Sequence, residues 1–413
     1  MNNNNNLNYE GNNLEDYKNE HNENEYKWII WELYKQLNKW NIGNFIHLLL
    51  FSFVKWNWSD LFFTYWEPPT VRINKEIYKI DEFYEGGLIF NEDVLQKCFN
   101  FLISKDWEEK KQEYLEEFKR KKFLDTSYSL KWYRFRLNIS ISEWNFMFVF
   151  RALANSIPTI QQLGLPESIT KTVEWTSGLI LVTWPTWSWK STTLAALVNH
   201  INYTQKKHII TLEDPIEYKF SPQKALIEQK ELWKDFNDFW SALKAALRQD
   251  PDVILFWEVR DRESAENAIT LAETWHLVLS TLHTKSAAQT ITRIVDIFPP
   301  EQHQQILSQL STTINSIISQ RLSKRKDKEW MVWIYEIMHN TSAIANNIRS
   351  NAIKSIPNSM NTGAKHWMIT LEKSLINLAQ QWIIPAKTAL SLANNKDIVE
   401  KDIYHIVQTE EDD

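Results

Sequence analysis

The chain has 413 residues, 43% hydrophobic and 24% charged, which suits two domains with a sizeable core and excludes collagen-like, disordered and disulfide-scaffold classes. Its 46 basic against 52 acidic residues leave a net charge of −6, with no global signal for nucleic acid, and its one cysteine, Cys98, rules out a disulfide framework or a multi-cysteine zinc site and points to the cytoplasm. No run reaches the ~18 apolar residues of a membrane span, the best being Ile46 to Val54, and the polar, acidic N-terminus carries no secretory signal. Residues 1–26 form an Asn/Glu-rich tail expected to be disordered. Residues 27–154 predict a small α+β domain: an apolar helix ending near Val54, strands at Asp60 to Tyr65 and Thr70 to Asn74, charged helices across Asn91 to Lys122, then alternating strands at Tyr133 to Ser140 and Phe146 to Arg151. Residues 155–174, with Pro158, Gly164 and Pro166, read as a linker, and from 175 to 413 strands alternate with helices, which predicts an α/β domain with a parallel sheet.

Two counts are abnormal for a globular chain: 7 glycines and 21 tryptophans. Typical usage of about 7% would give roughly 29 glycines, close to the 28 that the two residues make together. The tryptophans also collect where turn chemistry favours glycine, as in Lys55-Trp56-Asn57-Trp58-Ser59 and Tyr65-Trp66-Glu67-Pro68-Pro69. The reading is that most stand for glycine, through a UGA codon decoded as glycine. Applied to Trp184, Trp187 and Trp189, it turns Trp184-Pro185-Thr186-Trp187-Ser188-Trp189-Lys190-Ser191 into a complete P-loop between the buried strand Leu179 to Thr183 and a helix that starts at Lys190 and runs on through Thr192. Glycines there would let successive N–H groups close on a phosphate at the helix N-terminus, with Lys190 on the β/γ-phosphates of ATP and Ser191 on Mg²⁺. If the tryptophans are real, the cradle is full of indole and the chain is a non-hydrolysing subunit or scaffold.

Three further segments follow in order. The strand His208 to Leu212 ends in Glu213-Asp214-Pro215-Ile216-Glu217-Tyr218, with acids at a strand's C-terminal end, where doubly wound sheets keep their sites. An apolar strand after Asp252 ends in Trp257-Glu258, a Walker B pattern. A third strand is bracketed by His276 and His283, whose spacing of seven does not suit a zinc pair.

These four motifs, in this order and spacing, resemble the secretion and motility ATPase superfamily, most closely the type IV pilus retraction ATPases of twitching motility, over about Leu48 to Ala393. The flanks agree: Ser59-Asp60-Leu61 with Pro68-Pro69-Thr70-Val71-Arg72, and Tyr133 to Asn138, look like the family's PAS-like domain, and Ile297 to Pro300, Ile318 to Gln320 and Tyr335 to Met338 fall in register. Trp132, Trp233, Trp275, Trp367 and Trp382 stand where the family tends to have glycine. The resemblance implies a RecA-like P-loop ATPase domain behind a PAS-like domain, with Glu258 and Glu213 sharing the positioning of water and the Mg²⁺ shell, Ser191 and Glu258 as metal contacts, and His276 and His283 as sensors of the γ-phosphate. It also implies Arg134, Arg136 and Arg151 reaching a neighbouring subunit's nucleotide, with Arg248, Arg260 and Arg293 as weaker inter-subunit candidates. The implied assembly is a homo-hexamer, without nucleic acid or direct membrane insertion, working on an inner-membrane pilus platform protein at the cytoplasmic face. Retraction is favoured because the region before the P-loop is short and Cys98 alone cannot build the assembly relatives' four-cysteine zinc element. The family's C-terminal helix departs here to Ala343-Ile344-Ala345-Asn346-Asn347-Ile348-Arg349-Ser350, so pilus assembly or type II secretion is the alternative output.

Overall fold

The computed structural model describes residues 23–412 apart from 40, 57, 74–75, 81–88, 105–107, 132, 154–155, 184–188 and 328–330. Two compact units meet at residues 155 and 156. In the first, helices α1 (Glu23–Asn38) and α2 (Ile42–Lys55) precede strands β1 (Asp60–Phe63), β2 (Thr70–Ile73) and β3 (Glu76–Lys79). Helices α3 (Glu92–Ser104) and α4 (Glu108–Lys121) lead into β4 (Phe123–Leu130), β5 (Tyr133–Ser142) and β6 (Asn145–Ala152). The strands pair in the order β3-β2-β1-β6-β5-β4, every ladder antiparallel. Period-two alternation in β5 points Phe135, Leu137 and Ile139 inward, where they join Phe45, Phe53, Phe63, Phe148 and Phe150, all at most 1% exposed. Strand β4 is not among the elements expected from sequence; it turns Leu124, Tyr128 and Leu130 inward and joins the sheet through its eight-residue pairing with β5.

The second unit opens with a 3₁₀ stretch, Glu167–Val173. Then follow β7 (Gly178–Thr183), α5 (Trp189–Thr204), β8 (His208–Glu213), β9 (Leu226–Glu231), α6 (Phe239–Ala246), β10 (Val253–Phe256), α7 (Arg262–Glu273), β11 (Leu277–Leu282), α8 (Ala287–Asp296) and α9 (His303–Thr313). Strands β12 (Ile314–Lys324) and β13 (Met331–His339) come next, then helices α10 (Ser342–Arg349), α11 (Ile356–Thr362), α12 (Leu371–Gln380), α13 (Ala386–Leu392) and α14 (Lys396–Asp412). The sheet order is β13-β12-β7-β11-β10-β8-β9, parallel throughout except for the β12–β13 edge pair. Every residue of β7 and β11 is buried because helices cover both faces: Leu179 and Leu181 pack with α6 to α9, whereas Ile180 and Val182 pack with α5 and the 3₁₀ stretch. This is the α/β parallel-sheet architecture read from the alternating elements. Helices α12 to α14 close a further core around Ile334, Leu375 and Ile403.

Among the described residues, eleven non-glycine positions have positive φ, and six of them are Trp66, Trp144, Trp233, Trp275, Trp367 and Trp382. Four of the eleven have an evident local cause. Glu143 and Trp144, at φ 49° and 66°, form the two-residue turn between β5 and β6, where a right-handed hairpin needs positive φ twice. Trp275 and Trp382 follow the C-caps of α7 and α12, where the bonds His276 N–H to Leu271 O (3.4 Å) and Ile383 N–H to Leu378 O (3.0 Å) close Schellman motifs. Both are places that glycine ordinarily fills.

Candidate functional site

Strand order brings the sequence motifs together. The parallel neighbours β7, β11, β10 and β8 all end at one edge of the sheet, which gathers Thr183, Leu282, Phe256 and Glu213 and the loops that follow them. Helix α5 starts after the β7 loop, with Lys190 and Ser191 in its first turn and its N-terminal dipole toward that edge. Residues 184–188, which carry Trp184, Pro185, Thr186, Trp187 and Ser188, lie outside the described residues, and Trp189 is placed only as the first residue of α5.

Lys190 is 8% exposed, and its Nζ donates to His283 Nε2 (3.1 Å) and to the Leu282 carbonyl (3.4 Å). Burial pushes its ammonium down to about 8, against the opposing pull of Glu258; Arg260 adds to the depression and Glu217 resists it. His283 Nε2 also stands 3.0 Å from Glu258 Oε1, and Arg260 Nε donates to Glu258 Oε2 at 2.9 Å. A single ring nitrogen therefore faces a group that only donates and a group that only accepts. Bare, Nε2 accepts from Lys190; protonated, it donates to Glu258, so one proton selects the partner. The carboxylate of Glu258 is 9% exposed at its side chain, while Arg260 is 62% exposed and reaches it from the solvent side.

Glu213, 7% exposed, ends β8, where Thr211 Oγ1 and Gln229 Nε2 donate to its Oε1 at 2.7 and 3.2 Å. Thr192, in the first turn of α5, bonds Tyr218 OH at 2.7 Å, tying the acidic loop after β8 to the start of α5. Thr193 pairs with Gln320 of β12, and Thr183 donates to Ser319, so the inner strands hold both ends of the P-loop. Sequence reading passed over Gln229; Glu217 and Gln320 lie in segments it noted, the acidic run after β8 and the in-register Ile318 to Gln320, but it gave neither a role of its own.

His276 stands elsewhere. It precedes β11 and His283 follows it, so six strand residues, about 20 Å at 3.3 Å each, separate the two. At the far end its Nδ1 meets Thr274 Oγ1 and the Leu271 carbonyl, within the cap of α7. Of the two histidines expected as sensors, the structure places His283 beside Lys190 and Glu258 and His276 at the other end of β11. In the first unit, Arg151 pairs with the buried Asp60 (2.8 Å), Arg136 with Asp125 (2.9 Å), and Arg134 donates to Ser127 Oγ (3.0 Å). Among the described residues no helix is long and apolar enough to cross a membrane.

A nucleotide fits this edge. The Lys190 ammonium is buried, its two bonded partners are a ring nitrogen and a carbonyl, no carboxylate among the described residues bonds it directly, and a helix N-terminus faces the same space. Ser191 and Glu258 supply the hydroxyl and carboxylate that Mg²⁺ takes in such sites.

The family profile described as type II/IV secretion system protein matches residues 125–402. The type IV pilus retraction ATPase PilT of Pseudomonas aeruginosa is 38% identical over 345 residues, 83% of this chain and 96% of its own. A twitching motility protein of Neisseria gonorrhoeae is 42% identical over 264 residues, 64% of this chain and 71% of its own. Among solved structures, the pilus retraction motor PilT with bound ADP superposes with a TM-score of 0.78 at 35% identity, covering 86% of this chain and 99% of that one.

Proposed function

We infer the function from one premise: the chain belongs to the type II/IV secretion system protein family. It is an ATP hydrolase of the pilus retraction type, a motor that spends ATP to withdraw type IV pili. The observation that carries this reading is the contiguous chain Lys190–His283–Glu258–Arg260 at the sheet edge where the P-loop helix begins.

Phosphoryl transfer asks the protein mainly to place water and neutralise developing charge. Lys190 binds the β/γ-phosphates and leaves His283 to do so. Released, His283 is free to report the terminal phosphate while Glu258 stays oriented by Arg260. Glu258 and Glu213, on neighbouring strands, divide the orientation of water and the metal shell, Glu258 with Ser191 at the metal. Mg²⁺, when bound, supplies the charge neutralisation that no side chain at this edge provides alone. The chain assembles as a homo-hexamer in which Arg134, Arg136 and Arg151 approach a neighbour's nucleotide, and it acts on an inner-membrane platform protein from the cytoplasmic face. The small N-terminal unit, residues 27–154, is the PAS-like domain of that assembly, followed by a linker and the ATPase domain from residue 175.

Steady-state hydrolysis tests the enzyme: Lys190→Ala is expected to abolish it, and parental rates in that variant would refute the reading. Deletion in the source cell tests direction. Hyperpiliated cells fit retraction, and bald cells would reassign the motor to assembly.

A further inference from the structure

We propose that Gln229, on strand β9, is a positioning residue for Glu213 and sets the turnover of ATP hydrolysis; this rests on Glu213 acting as proposed above. The β8–β9 register pairs Thr211 with Gln229. Because side chains on a strand alternate faces, Glu213, two residues beyond Thr211, shares the face that holds both. Two donors thus converge on one carboxylate oxygen, Oε1, from Thr211 at 2.7 Å and Gln229 at 3.2 Å, and together they fix the rotation of the group. The Gln229 amide is itself locked: Nε2 also donates to the Tyr218 carbonyl (2.8 Å), and Oε1 accepts from the Phe220 N–H (3.0 Å). These bonds span the loop that follows Glu213, and Tyr218 ties the same loop to Thr192 of the phosphate-binding helix at 2.7 Å. One amide therefore holds the direction of the carboxylate and the path of the loop that leads from it to the nucleotide. Only a group with two donors and an acceptor can make these contacts.

The test is ATP hydrolysis by the full chain carrying Gln229→Glu, which keeps the side-chain shape and the acceptor for Phe220 but offers Glu213 no N–H. The expected result is a kcat at least about tenfold lower with KM for ATP within about threefold, because a misdirected water-orienting group costs the reaction rather than binding. In a Glu213→Ala background the same substitution is expected to change kcat by less than about twofold. An unchanged kcat in Gln229→Glu, or an equal loss with and without Glu213, overturns the proposal. Full activity in Glu213→Ala alone overturns the role of Glu213 as well, which separates the two failures. If Gln229→Glu does not fold, Thr211→Val and Gln229→Met each remove one donor from the same oxygen and decide the matter by the same split.

A second observation stands apart from the site. The structure assigns glycine to Trp66, Trp144, Trp233, Trp275, Trp367 and Trp382 in the protein as its cell makes it, through a codon read as tryptophan that decodes as glycine. All six lie at φ between 58° and 70°, where an L side chain is strained, and Trp144 and Trp275 are 97% and 83% exposed, so no burial compensates. Peptide mass spectrometry of the native protein reads these positions directly. Glycine masses are expected at all six, and tryptophan masses at Trp144, Trp275 and Trp382 would overturn the assignment.

Discussion

Nucleotide binding is expected to draw a proton onto Lys190. Burial holds its ammonium at about 8 against an ordinary 10.5, so at pH 8 about half of the empty sites carry a neutral lysine, against about a tenth at pH 7 and about nine tenths at pH 9. A bound polyphosphate restores the charged form, and uptake follows those fractions: about 0.5 proton per site at pH 8, rising to about 0.9 at pH 9. The empty pocket therefore prefers the neutral form by roughly 3 kcal/mol, an upper figure that His283 and Glu258 moderate by rearranging. The terminal phosphate of the ligand titrates near pH 6 and contributes little above pH 8. Isothermal titration calorimetry with a non-hydrolysable ATP analogue, in buffers of different ionisation enthalpy, gives the uptake as a slope. A slope of zero at both pH 8 and pH 9 would refute the argument, as would an unchanged slope in Lys190→Met. The same lysine makes the empty protein gain stability as pH rises from about 8 to 10.5, because there the unfolded chain binds more protons.

Two groups in the second unit should tilt stability in opposite directions with pH. His339, half-buried beside Ser316 and near His366, is pushed down to about 4 by that partial burial, so the unfolded chain binds more protons between about 4 and 6.5 and stability is lost as pH falls through that window. His339→Gln should flatten that limb in urea titrations. Glu336 is pushed up to about 7 by burial, although the Ala287 N–H favours its charge; its contribution is complete below about 4.5 and is lost as pH rises through 7, and Glu336→Gln should remove that slope. In a recombinant chain carrying tryptophan, Trp275→Gly and Trp382→Gly should each raise stability by about 0.5–1 kcal/mol, the αL strain of an L residue less the greater freedom of glycine in the unfolded state. A lower melting temperature in both would contradict the Schellman assignment at those caps. Arg151→Ala should lower the melting temperature of the first unit by leaving Asp60, 3% exposed, with the Ser59 hydroxyl at 3.0 Å and a longer charged contact, Arg72 at 3.9 Å.

Much of the site was legible because its chemistry is local. A buried strand, a loop of fixed length and a helix start at Lys190 are consecutive residues, Glu213 closes an apolar strand, and Glu258 follows one by two positions. Turn chemistry likewise needs only neighbours, which is why displaced glycines could be suspected from composition alone. Strand β4 and the helix at Glu23–Asn38 were not foreseen: the first lies directly behind a charged helix, and the second begins inside the Asn/Glu-rich tail, whose composition masks its apolar spacing.

Tertiary structure decided what stands beside what. Lys190 and His283 lie 93 residues apart and meet only because β7 and β11 are adjacent in the sheet, and nothing in either motif states that order. The same order sends His276 to the opposite edge, since a strand of six residues separates two positions that look equivalent as letters. Gln229 shows the limit most plainly. It belongs to an ordinary-looking strand, and its bearing on Glu213 follows from a β8–β9 register that is set by long-range pairing and helix packing rather than by any property of the residue itself.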